Sequence, residues 1–372
     1  MIKNKKRGLC LLLSLVLAAC GLSACSPKTT EESSQNSSVP ESSVPSEISE
    51  ESTPESQEEE SSAGEDLYDT SVPALDDPTP DAEGTFYDGI YVYNNSAFEM
   101  FYGGESAAKN YAETISNLKN ALGDNVTVYN IVVPTHCEIG LPERFSDLYY
   151  SQREYLNNIF NNYSEDIIAV DPYYALMHHR NEYLYFSTDH HWTVDAAYLA
   201  YQVFAQKAGI TALTEDDMER KSIEGFTGSL ASGTGLTNTD TVYYYTFPNC
   251  DITTVQYDAY AENPVTSMLF HEYASGVNAY GVFLGGDMPL IVTTNEQGNG
   301  KKIAVVKESY GNAFAPFISG TYSETHIIDS RYFKANLKTY LEEHDIDTVI
   351  FINNTMASAT GVRCDELNAL VE

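Results

Sequence analysis

Lys302-Ile303-Ala304-Val305-Val306-Lys307-Glu308-Ser309-Tyr310-Gly311-Asn312 decides the fold class of this chain. Residues 302–306 form an apolar, partly β-branched run of strand length, which reads as a strand buried on both faces. A serine and a glycine follow, and 312–318 reads as a short helix. In open parallel sheets ligands gather in the crevice at the carboxyl ends of the strands. A serine between such a strand and its helix therefore stands where chemistry is done.

The flanking segments repeat the alternation of strand and helix. Downstream, 326–329 and 348–353 read as strands around a helix over 332–344. Upstream, Ala108, Tyr111, Ile115, Leu118 and Leu122 recur at helical spacing, with Gly123 as a natural stop. A buried strand over 126–133 comes next, then helices over 152–163 and 173–180 around a strand at 166–170. Residues 183–186 return to strand, and 194–208 carry one apolar stripe that Thr193 is placed to cap. Only 222–295, rich in Gly, Thr and Tyr, reads as irregular with short strands. The pattern predicts an α/β fold with a largely parallel sheet and helices on both faces.

Thr188-Asp189-His190-His191-Trp192-Thr193 holds the sole tryptophan and follows the 183–186 strand. Asp189 and His191, two apart in an extended loop, point the same way. Such a pair serves as orienting acid and general base. By the same alternation His190 points away from the serine, and Trp192 serves as a buried wall. Ser309 is the nucleophile the pair needs, since a serine hydroxyl attacks only when a base takes its proton. The helix start after Ser309 offers backbone N–H groups to an oxyanion. The plainer alternative is a capping serine and a structural histidine.

Other chemistries fit less well. His190-His191 and His178-His179 are adjacent pairs whose members face opposite ways, and no His-Glu-x-x-His occurs, so no metal site is expected. Gly228, Gly233 and Gly235 lack the lysine and helix of a phosphate loop. Cys137, Cys250 and Cys364 fit neither a zinc pattern nor a disulfide framework, and both three buried thiols and one disulfide with a free thiol match their spacing.

Lys3, Lys5, Lys6 and Arg7 precede an apolar run over 8–19. That is the layout of a secretory signal, and it is too short for an ordinary transmembrane helix. Leu17-Ala18-Ala19-Cys20 and Leu22-Ser23-Ala24-Cys25 both resemble the bacterial lipobox, with Cys20 or Cys25 as the lipidated residue and an uncleaved anchor or ordinary signal as the alternatives. Residues 26–85 hold seventeen acids against one base and almost no large apolar residue. Such a segment cannot offset its ordering entropy and is expected to be a disordered tether. The expected layout is thus a signal and lipobox over 1–25, a tether over 26–85 and a domain over 86–372, extracytoplasmic and lipid-anchored. The formal charge is −34; the four N-terminal bases and the tether's net −16 leave −22 on the domain. An acidic surface argues against nucleic acid and anionic lipid as partners.

Residues 187–193, 307–312 and Ile328-Asp329-Ser330-Arg331-Tyr332 together resemble the DHHW protein family of bacterial surface proteins. That family is similar to the SGNH-hydrolase-like domain of the alginate O-acetylation proteins AlgX and AlgJ. The resemblance covers most of the chain from residue 86 on. It implies a flavodoxin-like three-layer α/β/α fold in which the Asp-x-His pair precedes the serine, and it carries Asp189, His191 and Ser309 over as a triad. It implies site-lining or oxyanion roles for Tyr310 and Arg331. The activity implied is O-acetyl transfer to, or ester hydrolysis on, cell-surface polysaccharide, with no cofactor beyond an acyl donor and with a membrane acyl-transfer protein as partner. Glu308 departs from the usual Gly-Asp-Ser block, and no Gly-x-Asn-Asp block follows, so that Asn353 or Asn354 is left to supply a donor. A glycan-binding module with a degenerate cleft is the rival expectation.

Overall fold

The structure, a computed structural model, describes residues 68–164 and 166–372. All of these belong to one unit, Ser61–Glu372. The expected signal, both lipobox cysteines and the tether up to residue 67 lie outside the described residues. Among the described residues, no helix is long and apolar enough to cross a membrane.

The chain lies against the domain from its first described residues. His178 Nε2 meets the Asp69 carbonyl at 3.0 Å, Asn181 Nδ2 donates to the Ala74 carbonyl at 2.9 Å, and Arg144 reaches Asp77 at 3.1 Å. The expected boundary near residue 85 therefore falls too late. A composition argument counts apolar area, and this segment docks through carboxylates and backbone carbonyls.

A three-stranded antiparallel meander follows: β1 (Thr85–Tyr87), β2 (Ile90–Tyr93) and β3 (Ser96–Glu99). Next in chain order come β4 (Thr127–Val133) and β5 (Ile167–Val170), then a separate hairpin of β6 (Glu219–Phe226) and β7 (Asp240–Thr246). The last six strands are β8 (Ile252–Tyr257), β9 (Val265–Ser267), β10 (Leu290–Asn295), β11 (Lys302–Lys307), β12 (Glu324–Asp329) and β13 (Thr348–Asn354). The central sheet runs β5-β4-β13-β11-β12-β10-β8-β9. The first five strands in that order are parallel, as the buried apolar runs predicted; β10, β8 and β9 add an antiparallel edge. The link from β8 to β9 is too short for a parallel crossover, which needs a dozen or more residues.

Tyr129 and Asn130 are neighbours in β4 and so point to opposite faces of the sheet. On one face Asn130 Nδ2 donates to Tyr111 in the helix Glu105–Leu122, which packs on Gln152–Phe160 and Gly361–Asn368. On the other, Tyr129 meets Phe204 of Val194–Lys207, which packs on Gly311–Thr321. The sheet is thus covered by helices on both sides, with its parallel strands in a continuous apolar core. Cys137, Cys250 and Cys364 are all free thiols.

Residues 183–186 are not a sheet strand. They make only an isolated bridge, Tyr185 with Trp192, and their amides close local turns, Leu184 on Glu182 and Phe186 on His191. The apolar residues are buried under loops instead of within the sheet. Thr193 does sit at the start of Val194–Lys207, but its hydroxyl donates to the Tyr183 carbonyl and leaves the helix uncapped by that side chain.

Candidate active site

Ser309 stands where β11 ends and the helix Gly311–Thr321 begins. The turn is tight: a Cβ on Gly311 would stand 2.4 Å from the Lys307 Cβ. Glu308, 3 % exposed, closes it. Its Oε2 accepts from the Tyr310 N–H at 3.0 Å and lies 3.2 Å from Ser309 Oγ; its Oε1 accepts from the backbone and side-chain amides of Asn354 at 3.0 and 3.2 Å. The acid that departs from the family's block therefore ties the end of β11 to the end of β13. It also occupies the Tyr310 N–H expected for an oxyanion. The Gly311 and Asn312 amides close on the Glu308 and Ser309 carbonyls, so Ser309's own N–H is left without a partner in the turn.

The Asp189–His191 loop comes from outside the sheet and is fixed by polar bonds. Ser187 N, Thr188 N and the Thr188 hydroxyl all donate to the buried Asp240 carboxylate of β7. Ala97 of β3 donates to the Ser187 carbonyl. Asp189 Oδ2 accepts from Ser229 N at 2.8 Å and Oγ at 3.0 Å, and Gly228 leaves the space this needs, since a Cβ there would lie 2.1 Å from the Asp189 Cβ. Asp189 Oδ1 accepts from the His191 amide at 3.0 Å and pairs with His191 Nδ1 at 2.5 Å. His191 Nε2 stands 2.8 Å from Ser309 Oγ. Serine, imidazole and carboxylate, separated by 118 residues in the chain, are thus in line.

Electrostatics keep the carboxylate ionised. Burial alone would push the Asp189 carboxyl up, but the hydrogen bond and charge of His191 hold it well below the usual carboxylate range. His190 is pushed down to about 4, first by burial and then by the neighbouring His191. Its Nδ1 meets Ser229 Oγ at 2.9 Å, away from Ser309, yet its ring lies only 3.9 Å from that of His191 because the loop bends where an extended segment would separate them. The donor atoms of Asp189, His190 and His191 lie within 4.8 Å of one another. Both His191 nitrogens are already engaged, so a cation there would break the Asp189–His191–Ser309 line.

Aromatic residues wall the histidine. Trp192 is fully buried, donates Nε1 to the Tyr310 carbonyl at 2.9 Å and stacks on the Tyr310 ring. Tyr310 itself is buried, and its hydroxyl donates to the His190 carbonyl at 2.6 Å. It braces the loop with its ring enclosed and its N–H taken by Glu308, where a site-lining or oxyanion role was expected. Tyr280, unforeseen in the irregular 222–295 region, covers the open face of His191 and donates its hydroxyl to the Ser309 carbonyl at 3.1 Å. Only an adjacent Gly-rich stretch marks that segment in the sequence. Glu99, at the end of β3, was also unforeseen; burial and then the Asp189 charge raise its carboxyl.

Arg331 lies beside the site in an ion cluster. It bonds Asp329 at 2.6 and 2.8 Å and Asp287 at 2.9 Å, while buried Lys307 bonds Asp329 at 2.8 Å. Asp287 in turn accepts from Asn312 Nδ2 at 2.9 Å. The arginine is thus committed to carboxylates, and it pins the segment that follows Tyr280 to the sheet. Asn353 does not reach the site: it is 1 % exposed and donates to Tyr111 on the face covered by Glu105–Leu122. The neighbouring position in β13 points the other way, and there Asn354 serves Glu308.

The family profile described as DHHW protein matches residues 64–328. A crystal structure of a DHHW family protein from Eubacterium siraeum superposes with a TM-score of 0.72 at 29% identity, over 78% of this chain and 99% of that one. PatB1 of Bacillus cereus, solved with a sulfonyl adduct, gives 0.63 at 19% identity, over 76% and 98%. The O-acetyltransferase domain of Pseudomonas putida AlgJ gives 0.43 at 12% identity, over 77% and 98%. No curated protein matches the chain.

Proposed function

The chain belongs to the DHHW protein family, and from that premise we propose that it is an SGNH-like, serine-dependent O-acyltransferase or esterase acting on extracytoplasmic polysaccharide. The observation that carries the reading is the line Ser309 Oγ, His191 Nε2, His191 Nδ1, Asp189 Oδ1, with spacings of 2.8 and 2.5 Å at its two contacts. The mixed α/β sheet with helices on both faces is compatible with the SGNH-like architecture.

In this reading Ser309 Oγ attacks the carbonyl carbon of an acyl donor while His191 Nε2 takes its proton. Asp189 holds the Nδ1 proton and stabilises the imidazolium. The Ser309 N–H, without a partner among the described residues, would serve the developing oxyanion. The tetrahedral species expels the donor's oxygen, which leaves with the proton from His191, and the acyl group remains on Ser309. A sugar hydroxyl then gives its proton to His191 and attacks the ester carbon, and the second tetrahedral species breaks its bond to Ser309 Oγ, which leaves with that proton; acetyl is the acyl group proposed. Water in its place makes the enzyme an esterase. No cofactor beyond the donor is required. The lipobox at Cys20 or Cys25 would hold the protein at the outer face of the cell membrane, where a membrane acyl-transfer protein could deliver the donor.

One observation favours a second reading, a glycan-binding module without catalysis. Glu308 takes the Tyr310 N–H and competes for the Ser309 hydroxyl, which leaves the oxyanion site sparsely furnished. The sulfonyl adduct on PatB1 suggests the class of reagent that separates the two. The full-length protein is treated with a fluorophosphonate or sulfonyl fluoride probe and digested for mass spectrometry. Label on Ser309, lost in His191→Ala, is expected; a chain that takes no label yet retains glycan would be the binding module.

A further inference from the structure

Between Tyr273 and Gly286 the chain crosses over the candidate site and presents a second, outward side. The 3-10 helix Gly276–Val282 buries Ala279, Tyr280 and Val282, and Tyr280 is the ring that covers His191. Val277 and Asn278, both exposed, and half-buried Gly281 of the same turns line a cleft of about 460 Å³ together with His271, Tyr273 and Gly285. That volume falls within the range of roughly 300–1,000 Å³ typical of small-ligand sites.

Tyr273 is 75 % exposed, yet it is not loose. Its hydroxyl is bonded to His271 Nδ1 at 2.7 Å, and His271 is only 8 % exposed. The histidine is seated in turn. Its backbone amide donates to the Val282 carbonyl at 2.7 Å, and a Cβ on Gly285 would stand 2.6 Å from its Cε1 and Nε2. Gly285 also holds a left-handed φ of 75°, so two requirements keep a side chain out of that position. Among the described residues, buried His271 Nε2 meets no partner in good hydrogen-bond geometry. Burial pushes the imidazole below its ordinary value, with the Met268 carbonyl acting the other way. A solvent-facing aromatic ring held in one orientation loses rotamer freedom and leaves apolar faces in water. Neither effect stabilises the fold, so the arrangement points outward, to a ligand.

We propose that this cleft is a glycan subsite in which a neutral pyranose ring stacks on Tyr273 and hydrogen-bonds Asn278 and the glycine-lined backbone. An aromatic face beside hydroxyl- and amide-bearing walls matches a sugar's apolar C–H face and equatorial hydroxyls. Among the described residues, no lysine, arginine, aspartate or glutamate lines the cleft, which disfavours phosphorylated, uronate or free-amine sugars and leaves neutral ones, N-acetylated units included. The site deepens the function proposed above and rests on it for the nature of the bound polymer. It shares the turns Gly276–Val282 with Tyr280, the ring stacked on His191, so a polymer held there can pass its next units toward Ser309.

The test uses the full chain with tetra-N-acetylchitotetraose and cellotetraose, read by saturation-transfer difference NMR. The wild type and Ser309→Ala are expected to show transfer concentrated on the ring C–H protons of one unit of at least one probe. Tyr273→Ala should weaken that binding about tenfold or more, in keeping with stacking on an exposed ring. Gly281→Leu provides an independent variant: a Cβ there meets nothing within 4 Å, so the leucine fits the backbone and fills the cleft, and it too should lose binding. Undiminished binding in both variants, or no transfer to the wild type from either probe, overturns the proposal. The two readings fail separately. A Ser309 that takes no fluorophosphonate sinks the catalytic reading without altering the NMR result, and the reverse also holds.

Discussion

The ring of Tyr280 lies nearly flat on the imidazole of His191, with centroids 4.0 Å apart and planes inclined by 14°. Its phenol stays neutral, because burial, followed by the charges of Glu308 and Asp189, raises it well above the ordinary tyrosine value. An aromatic face against an imidazole that becomes cationic in the transition state stabilises that state by about 1–2 kcal/mol. Tyr280→Leu should therefore lower kcat/KM roughly 5- to 30-fold. Tyr280→Phe keeps the ring and should restore most of that loss while giving up the bond to the Ser309 carbonyl. A Leu variant with unchanged kcat/KM would make the stack merely structural.

Asp189 gives a prediction in two readouts. Asp189→Asn should reduce turnover by roughly 10⁴, the cost when the orienting acid of a triad becomes an amide. The second readout is stability. The folded-state carboxyl is held below its unfolded value, so its contribution is fully present above about pH 4, the unfolded carboxylate value, and is lost as pH falls through the folded one. The melting-temperature gap between wild type and Asp189→Asn should accordingly be widest near neutrality and shrink in acid. A gap that widens in acid would contradict the sign.

How much of this was legible in the sequence differs by element. The strand, serine and helix over residues 302–318 were legible because an apolar run buried on both faces leaves a local pattern. The Asp189–His191 pair was legible from its spacing. The wrong placement of 183–186 in the sheet shows the limit: apolar residues announce burial, and burial under a loop has the same pattern as burial in a strand. Asn353 and Asn354 differ only in which face of β13 they occupy, and that parity cannot be read without the register. Tyr280 comes from a segment with no periodicity, and its stacking on His191 goes with a bond to the Ser309 carbonyl, both partners being remote in the chain.

The ion cluster around Asp329 supplies a third prediction. Lys307 and Asp329 are 1 % and 0 % exposed, and Arg331 shares the same carboxylate. Asp329→Ala leaves buried Lys307 with only the more distant Asp287 carboxylate at 3.6 Å and should destabilise the fold by about 3–5 kcal/mol, as when one partner of a buried pair is removed. The double variant Lys307→Met, Asp329→Leu should recover part of the loss. Urea denaturation of both tests this; a double variant less stable than Asp329→Ala would argue that the pair is favourable beyond its own desolvation.

The anchor is tested in cells. The two lipobox-like sequences predict that changing Cys20 and Cys25 together to Ala releases the protein from the membrane fraction, and that one single change suffices if that cysteine carries the lipid. Membrane association that persists in the double variant would rule out lipidation at either cysteine.

Ser309 and Glu308 together make the last prediction. Ser309 Oγ lies between His191 Nε2 at 2.8 Å and Glu308 Oε2 at 3.2 Å, and one hydroxyl proton can serve only one of them. Donation to His191 is the reactive state; donation to Glu308 withholds the proton. Ser309→Ala should abolish turnover of an acetyl ester and leave the melting temperature nearly unchanged, because a single hydroxyl bond contributes only about 1 kcal/mol net. Glu308→Gln should behave differently. The amide nitrogen it introduces cannot accept, so either the Tyr310 amide or the Asn354 donors lose a buried acceptor, at a cost of about 1–3 kcal/mol. If the new side chain presents its nitrogen toward the serine, the competing acceptor disappears, the Tyr310 N–H becomes free to meet an oxyanion, and kcat rises while stability falls. If it presents its oxygen there, kcat is unchanged and the Asn354 side bears the loss. A fall in kcat with no change in stability fits neither orientation and would mean that the Glu308 charge itself takes part in the reaction.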